Sequence, residues 1–436
     1  MINHGSSPVS VRWTARARRL MVGALLSVTV VLVAACGVKS QGATGGSAPA
    51  KAPNQIVIGT AYAASGSYAS TSVPGLDGMK FWVQTQNQAG GVYVAAYHKK
   101  IPVKLVAYND QSSASTAATL YNQLITQDKV NILVSDFGSE LTAPAVTIAE
   151  EHQVLLFNQG GSSPSFFSPK NPYMALLDVP AAAAWVPNLV GFIQSKHIHT
   201  VALVYDSNEF TEAQAVAIQN AFKADHVDLV LDTTVPQSTT DYSSLLNRVA
   251  AAKPQAVLEF GYDTNDEPFL QDLQSVGAHY GMVFTDFAGQ LSAQYEKSVG
   301  NSALADTFSY GFPPEVAYSN VSLGLNTAQF TKQFQAAYPG AVNGDDVSGY
   351  NTGLIIQAAL NHAASLSQVA LRQALTGVSG KITTVEGTFK LSGDGSQTGE
   401  IPPIVQFLPS SGGSLQPKIV YPASRATASS QYPAAG

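Results

Sequence analysis

Three loops in the first part of the chain set small, hydroxyl-bearing and glycine residues directly after short apolar runs. The first is Ala61-Tyr62-Ala63-Ala64-Ser65-Gly66-Ser67-Tyr68-Ala69, just ahead of a helical pattern. Free N–H groups at such a helix start bind anions, although the same residues also suit an ordinary strand-to-helix turn. The second loop, Ser135-Asp136-Phe137-Gly138-Ser139-Glu140, again opens a helix. The third, Asn158-Gln159-Gly160-Gly161-Ser162-Ser163, joins glycines to hydroxyls. Gly160 and Gly161 let a ligand approach the backbone closely, and Ser139 and Ser162 can donate to a carboxylate. Three loops of this kind on one edge carry more weight than any one alone.

Covalent chemistry finds little support. The Gly160-Gly161-Ser162-Ser163 run is not a G-x-S-x-G nucleophile elbow, and no G-x-x-x-x-G-K-[ST] phosphate loop occurs. His197 and His199 fall on one face of an extended segment and could ligate a metal, but no acid-rich loop nearby completes a site, so they read as surface chain. Asp263, Asp266 and Glu267 could act as paired carboxylates, or serve as the acidic first turn of a helix. Aromatic residues collect where strands end: Phe210, Tyr262 and Phe287, with Tyr350 opening a late helix. Each could be core, and together in loops they suit the wall of a ligand site. No cofactor or metal motif is found.

The lone cysteine has its own context. Arg12, Arg16, Arg18 and Arg19 precede an apolar run of 16 residues, Leu20 to Ala35, that ends in Val33-Ala34-Ala35-Cys36-Gly37. That run is shorter than the roughly 20 residues a membrane-spanning helix needs. A basic start, a short apolar stretch and small residues at its end describe a secretory signal, and the ending resembles a bacterial lipobox, in which the cysteine is lipidated. Residues 36–53 are rich in Gly, Ala, Ser and Pro and read as a tether, and residues 423–436 as a disordered tail. The whole chain of 436 residues carries 23 Lys and Arg against 29 Asp and Glu. Without residues 1–35 the balance is 19 to 29, a net of −10, which excludes phosphate-neutralising nucleic-acid binding. One cysteine also excludes an internal disulfide or a Cys-based zinc site.

The elements that position these loops alternate. Apolar strands at Ile56–Gly59, Ile101–Tyr108, Asn131–Val134 and Val154–Phe157 are separated by helices at Leu76–Gln88, Thr116–Gln127 and Ala143–Glu151. The cycle resumes with strands at Val201–Tyr205, Leu229–Thr233, Ala256–Phe260 and Met282–Phe284 between helices at Ala184–Gln194, Glu212–Ala224, Leu245–Ala251 and Glu267–Val276. Helices follow at Thr327–Tyr338, Ser348–Ala364 and Ser367–Leu375, then strands near Gly387–Phe389, Ile404–Leu408 and Lys418–Tyr421. Short apolar strands alternating with amphipathic helices predict an α/β protein of two αβα lobes with mostly parallel sheets. Ligands in such sheets bind beyond the carboxyl ends of the strands, where the three loops lie.

In order and spacing, Ile56-Val57-Ile58-Gly59, Ser65-Gly66-Ser67-Tyr68-Ala69, Asn87-Gln88-Ala89-Gly90-Gly91, Tyr108-Asn109-Asp110, Val204-Tyr205-Asp206, Asp241-Tyr242-Ser243-Ser244-Leu245 and Gly387-Thr388-Phe389 together resemble the type I periplasmic binding proteins of the branched-chain amino acid class. The resemblance runs from Gln55 to about Tyr421. It implies a three-strand hinge with crossings near Leu177-Asp178, Gly311-Phe312 and Val385-Glu386. The lobes would then be residues 54–177 plus 312–385 and residues 178–311 plus 386–422, after a signal of residues 1–35. It implies no enzymatic activity and no cofactor, but capture of a small polar ligand, such as an amino acid or a related compound. The ligand-binding positions it implies are Tyr68, Phe137, Ser139, Gly160, Gly161, Ser162, Phe210, Tyr262 and Tyr350. The family's ammonium-pairing acid would fall at Ala288, which cannot pair, leaving Asp286 two residues away for that role. The implied partners are the permease subunits of an ABC importer. The implied location is the outer face of a bacterial cell membrane, Gram-positive or actinobacterial, with a monomer held there by the lipid on Cys36. A lipoprotein that senses its ligand for a signalling partner is the alternative on the same clamp.

Overall fold

In a computed structural model of the chain, residues 51–410 and 414–434 are described. The signal segment, Cys36 and the tether up to residue 50 lie outside them. The chain opens with β1 (Ile56–Tyr62) and α1 (Ala69–Gln88), then a hairpin of β2 (Val92–Val94) and β3 (Lys99–Ile101). β4 (Val103–Asn109), α2 (Ala114–Thr126), β5 (Ile132–Val134), α3 (Gly138–His152), β6 (Leu156–Asn158) and β7 (Met174–Leu176) follow. The five longer-range strands form one parallel sheet in the order β4-β1-β5-β6-β7. Its register is set from Ile56 opposite Val103 to Tyr62 opposite Asn109.

A second run holds α4 (Val186–Ser195), β8 (Thr200–Asp206), α5 (Glu209–Asp225), β9 (Asp228–Val235), α6 (Ser243–Ala252), β10 (Ala256–Phe260), α7 (Asp263–Val276), β11 (Met282–Thr285), α8 (Ser292–Ser298), α9 (Asn301–Leu304) and β12 (Phe308–Tyr310). The chain then supplies α10 (Thr327–Ala337), α11 (Gly344–His362), α12 (Gln368–Val378) and a hairpin of β13 (Ile382–Thr384) and β14 (Gly387–Phe389) to the first sheet's side. β15 (Ile404–Pro409) and β16 (Leu415–Tyr421) return to the second sheet, whose order is β16-β15-β12-β11-β10-β8-β9. That sheet is parallel from β9 to β12, and β15 and β16 add antiparallel strands.

Alternation along β1 sorts the first sheet's two faces. Ile56 and Ile58 pack with α1, α11 and α12, whereas Ala61 packs with Tyr121 and Leu124 of α2 and Ala145 of α3. The closest packing is between α1 and α11. A Cβ on Gly349 would lie 1.8 Å from the carbonyl oxygen of Gly75, and one on Gly78 would lie 2.0 Å from that of Asp346. One turn on, Gly353 lies against the Trp82 ring, where a Cβ would come within 2.3 Å. Only hydrogen at these positions lets the helices touch backbone to backbone.

Three expectations change. Phe312 and Val316 stay with the second sheet's cores, while Leu323 packs against the first, so the middle crossing lies beyond Gly311-Phe312. Phe389 and Leu391 belong to the first sheet's core, and the Leu176 N–H donates to the Gly395 carbonyl at 2.8 Å, so the third crossing falls after Val385-Glu386. Residues 423–434 are tied down rather than disordered. The Gln406 side chain exchanges hydrogen bonds with the Gln431 backbone at 2.8 and 2.9 Å, and Arg425 stacks on Tyr318 at 4.9 Å. Turn-rich composition marks a segment that cannot build a core, but it does not prevent docking on one.

Gly349→Ala is expected to destabilise the fold by about 3 kcal/mol, at the upper end of overpacking costs, because the opposing atom is backbone and cannot swing aside. Denaturant unfolding measures this, and a loss below ~1 kcal/mol would mean the helices separate freely.

Candidate functional site between the sheets

The carboxyl ends of the parallel strands of both sheets converge on one cleft. From the first sheet, the turn after β5 brings Phe137 and Gly138, and the turn after β6 brings Gln159, Gly160 and Ser162. From the second, Phe210 lies in the first turn of α5, Tyr262 precedes α7, and Phe287 and Gln290 follow β11. The first crossing contributes Asp178, Val179 and Trp185, and the start of α11 contributes Asp345 and Ser348.

The aromatic side chains form a continuous wall. Ring centroids of Phe210 and Tyr262 lie 5.7 Å apart, Tyr262 and Phe287 5.3 Å, and Trp185 and Phe210 5.2 Å. Phe137 meets the wall from the first sheet, 6.0 Å from Tyr262. Hydrogen bonds cross between the two sides around this wall. The Ser139 N–H donates to the Tyr262 hydroxyl at 3.3 Å, Ser70 donates to Asp263 at 2.7 Å, and Ser163 and Ser165 donate to Glu209 at 2.5 and 2.6 Å.

The sequence-derived residues separate into groups. Phe137, Gly160, Ser162, Phe210 and Tyr262 line the cleft. A Cβ on Gly160 would meet nothing within 4 Å, so this glycine borders open space. Gly161 is different: a Cβ there would strike the Thr142 side chain at 2.4 Å, and its N–H and C=O are both held by Asn158. Tyr68 stands behind the wall, 5.3 Å from Tyr262, hydrogen-bonded to Glu140 and accepting from Gln237 at 2.5 Å. Ser139 is buried beside the cleft rather than in its lining, and its hydroxyl accepts from the Ser163 N–H at 3.0 Å. It positions the third loop.

Two expected ligand residues lie elsewhere. Tyr350 packs among Phe81 and Phe330 in the first sheet's core, and its hydroxyl accepts from the Leu325 N–H at 3.1 Å. The reason is where α11 begins. The Asn343 and Asp346 capping box starts it at Gly344, ahead of the expected Ser348. Asp345 and Ser348, three residues apart, therefore share a face, and Tyr350 is turned toward α1. Asp286 is fully buried within the second lobe, accepts from Gln214 at 2.7 Å, and is absent from the cleft lining. Asp263, Asp266 and Glu267 serve structure: Asp266 accepts from the Phe287 N–H at 2.8 Å and from the Tyr295 hydroxyl at 2.9 Å, which fixes the loop carrying Phe287. Among the described residues no group of three His, Cys, Asp or Glu could hold a metal ion, and no helix is long and apolar enough to cross a membrane.

Trp185, Asp178, Gln290, Asp345 and Ser348 were not singled out from sequence. The Asn343–Asp346 spacing is the signal that would have found the last two. No Lys, Arg or His lines the cleft. Asp178 accepts from Ser348 at 2.6 Å through one oxygen, and Asp345 accepts from Gln290 at 2.6 Å through one. Their other carboxyl oxygens have no hydrogen-bond partner. Burial pushes Asp178 up to about 7. Asp345 is driven well above the usual carboxylate range by burial, then by Asp346, Asp178 and Asp263. Glu386 is raised by burial and by Asp178 and Asp345.

Comparison with known proteins gives a consistent picture. A periplasmic binding protein family model matches residues 55–405. The Leu/Ile/Val-binding protein homolog 7 of Brucella suis is 23% identical over 345 residues, covering 76% of this chain and 83% of the relative. Among solved structures, the branched-chain amino acid transporter substrate-binding protein LivJ of Streptococcus pneumoniae, in complex with isoleucine, superposes with a TM-score of 0.70 at 17% identity. The match covers 84% of this chain and all (100%) of that one. A solute-binding protein of an ABC transporter from R. palustris, in complex with benzoate, gives 0.68 at 17% identity, covering 83% of this chain and 95% of that one.

The buried carboxyl groups make stability depend on pH. Asp206 and Asp266, like Asp178, are pushed up to about 7, chiefly by burial. The folded chain holds these protons to about pH 7, whereas the unfolded chain releases them near pH 4. Their contribution is thus full below about pH 4 and is lost as the pH rises through about 7. Glu209, Asp241 and Asp394, held below their usual range by hydrogen bonds from neighbouring serines, act in the opposite sense but are fewer than the raised groups. The thermal midpoint is expected to be higher at about pH 4.5 than at about pH 7.5, and a midpoint that rises over that interval would contradict the assignment.

Proposed function

The chain belongs to the periplasmic binding protein family, and on that premise we propose that it is an extracytoplasmic receptor that captures a small organic solute and delivers it to an ABC importer. The observation that carries this reading is the cleft itself. Facing strand ends of two sheets meet at a cleft with an aromatic wall and a few polar groups, the make-up of a small-molecule site. Members of the family are solute-binding proteins, so we read the work of the cleft as binding rather than covalent chemistry. The ligand is a solute of amino-acid size with an apolar body, in keeping with the isoleucine and benzoate held by the two structural relatives. Solute bridging the two sides shifts the population toward the closed arrangement, and that arrangement docks on the permease. Cys36 carries the lipid that holds the receptor at the membrane, and a Cys36→Ser chain is expected to lose detergent partitioning.

A thermal-shift screen over amino acids, amines and aromatic acids tests the receptor reading. A bound solute at ~100 times its Kd adds about 2.7 kcal/mol of stability. Stabilisation by no member of the panel would overturn the reading. The bridge from Tyr262 to Ser139 gives a second test. Tyr262→Phe removes one neutral hydrogen bond and is expected to weaken the solute found by the screen roughly two- to tenfold, with little change in unfolding. Calorimetry with unchanged affinity would show that closure does not use this bond.

A further inference from the structure

We propose that the solute is an organic ammonium ion, its charge set against Asp345 and Asp178 and its apolar body against Phe210, Tyr262 and Phe287; the proposal rests on the receptor reading. Asp345 is 1% exposed, lines the cleft, and keeps one oxygen without a hydrogen-bond partner. Acidic residues are common in a helix's first turn, but there they are ordinarily in water. The capping box accounts for the neighbouring Asp346, whose carboxylate accepts from the Asn343 N–H at 2.9 Å, and leaves Asp345 without a structural task beyond one bond from Gln290. Asp178 faces the same space with a second unpartnered oxygen, and Glu386 lies within electrostatic reach of both.

Among the described residues no basic side chain balances these groups. The cleft lining holds no basic side chain, and the ion pairs found among the described residues, Lys80 with Asp77 and Arg425 with Glu400, do not touch it. A buried carboxyl group without a counter-charge is costly, and a ligand cation removes that cost on binding. Aromatic faces attract cations as well. A carboxylate ligand would instead enter a desolvated site beside three carboxyl groups with no cation to meet it. An amino acid satisfies Asp345 through its ammonium group, but its carboxylate would find only neutral donors, such as Gln159, Ser162 and the backbone near Gly160. The charge contact therefore belongs to the amine.

Phenethylamine, 3-phenylpropionate and phenylalanine share one apolar body and separate the charges. Calorimetry on the intact protein is expected to show binding of phenethylamine and none of 3-phenylpropionate. Asp345→Asn, which keeps the shape and the Gln290 contact, is expected to weaken phenethylamine tenfold or more, as is Asp178→Asn; thermal unfolding of both variants verifies that they fold. Where only phenylalanine binds, a tenfold loss in Asp345→Asn supports the charge contact. The proposal is overturned if 3-phenylpropionate binds as well as the amine, if both variants keep affinity within twofold, or if none of the three binds. The receptor reading fails separately, when the whole screening panel fails. An uncharged or anionic hit from that panel retires the cation and keeps the receptor.

Discussion

The contact between α1 and α11 is the constraint on which the site rests. Gly75, Gly78 and Gly349 bring two helix backbones together with no side chain between them, and Gly353 makes room for the Trp82 ring one turn on. α1 begins next to Tyr68 and Ser70, which reach the second sheet's side, and α11 begins with Asp345 and Ser348 in the cleft. Locking one helix to the other fixes both beginnings. The hydrogen bond from the Gly344 N–H to the Gln290 carbonyl, 3.0 Å, then ties the start of α11 to the loop after β11. A packing requirement deep in the first core thus sets the geometry of groups at its rim.

A second feature is the number of carboxyl groups withdrawn from water without a basic partner. Asp206, Glu259, Asp266 and Asp286 lie together behind the aromatic wall, each raised chiefly by burial, and Glu259 and Asp286 further by the others. Asp110 and Asp136 form a comparable pair in the first lobe. Hydrogen bonds from Ser72, Thr211, Gln214 and Tyr295 stabilise them in part. Protons supply the rest, which is why these groups stabilise the fold less as the pH rises. The cleft pair differs in facing space that a solute can enter.

The loops read as carboxylate holders have a different division of labour in the fold. Gly160 and Ser162 reach the cleft, but the Ser139 hydroxyl holds one loop to the next and the Gly161 backbone is held within its own loop by Asn158. The polar end of the site has moved toward the crossings and the start of α11. That shift places its carboxyl groups where the two sides of the cleft meet.

The alternation of apolar strands and amphipathic helices is local in origin, because one face of each element must be buried, and Ile56, Ile58 and Val201 declare that from their neighbours alone. The two-sheet architecture, the cleft at the strand ends and the aromatic wall of Phe210 and Tyr262 follow from that pattern. Tyr350 and Asp286 could not be placed this way. The place of Tyr350 depends on where α11 starts, since a start four residues earlier puts it a turn inside the helix instead of in its opening turn, and Asp286 depends on whether Gln214 from a distant helix arrives to cover it. The crossings and the chain end likewise lack a local signature: Leu391 and Gln431 are assigned by the surfaces they meet. Sequence determined which segments bury a face. Tertiary structure decided which polar groups were left facing the cleft, because an unpartnered oxygen such as that of Asp345 is defined only once every possible partner has taken its place.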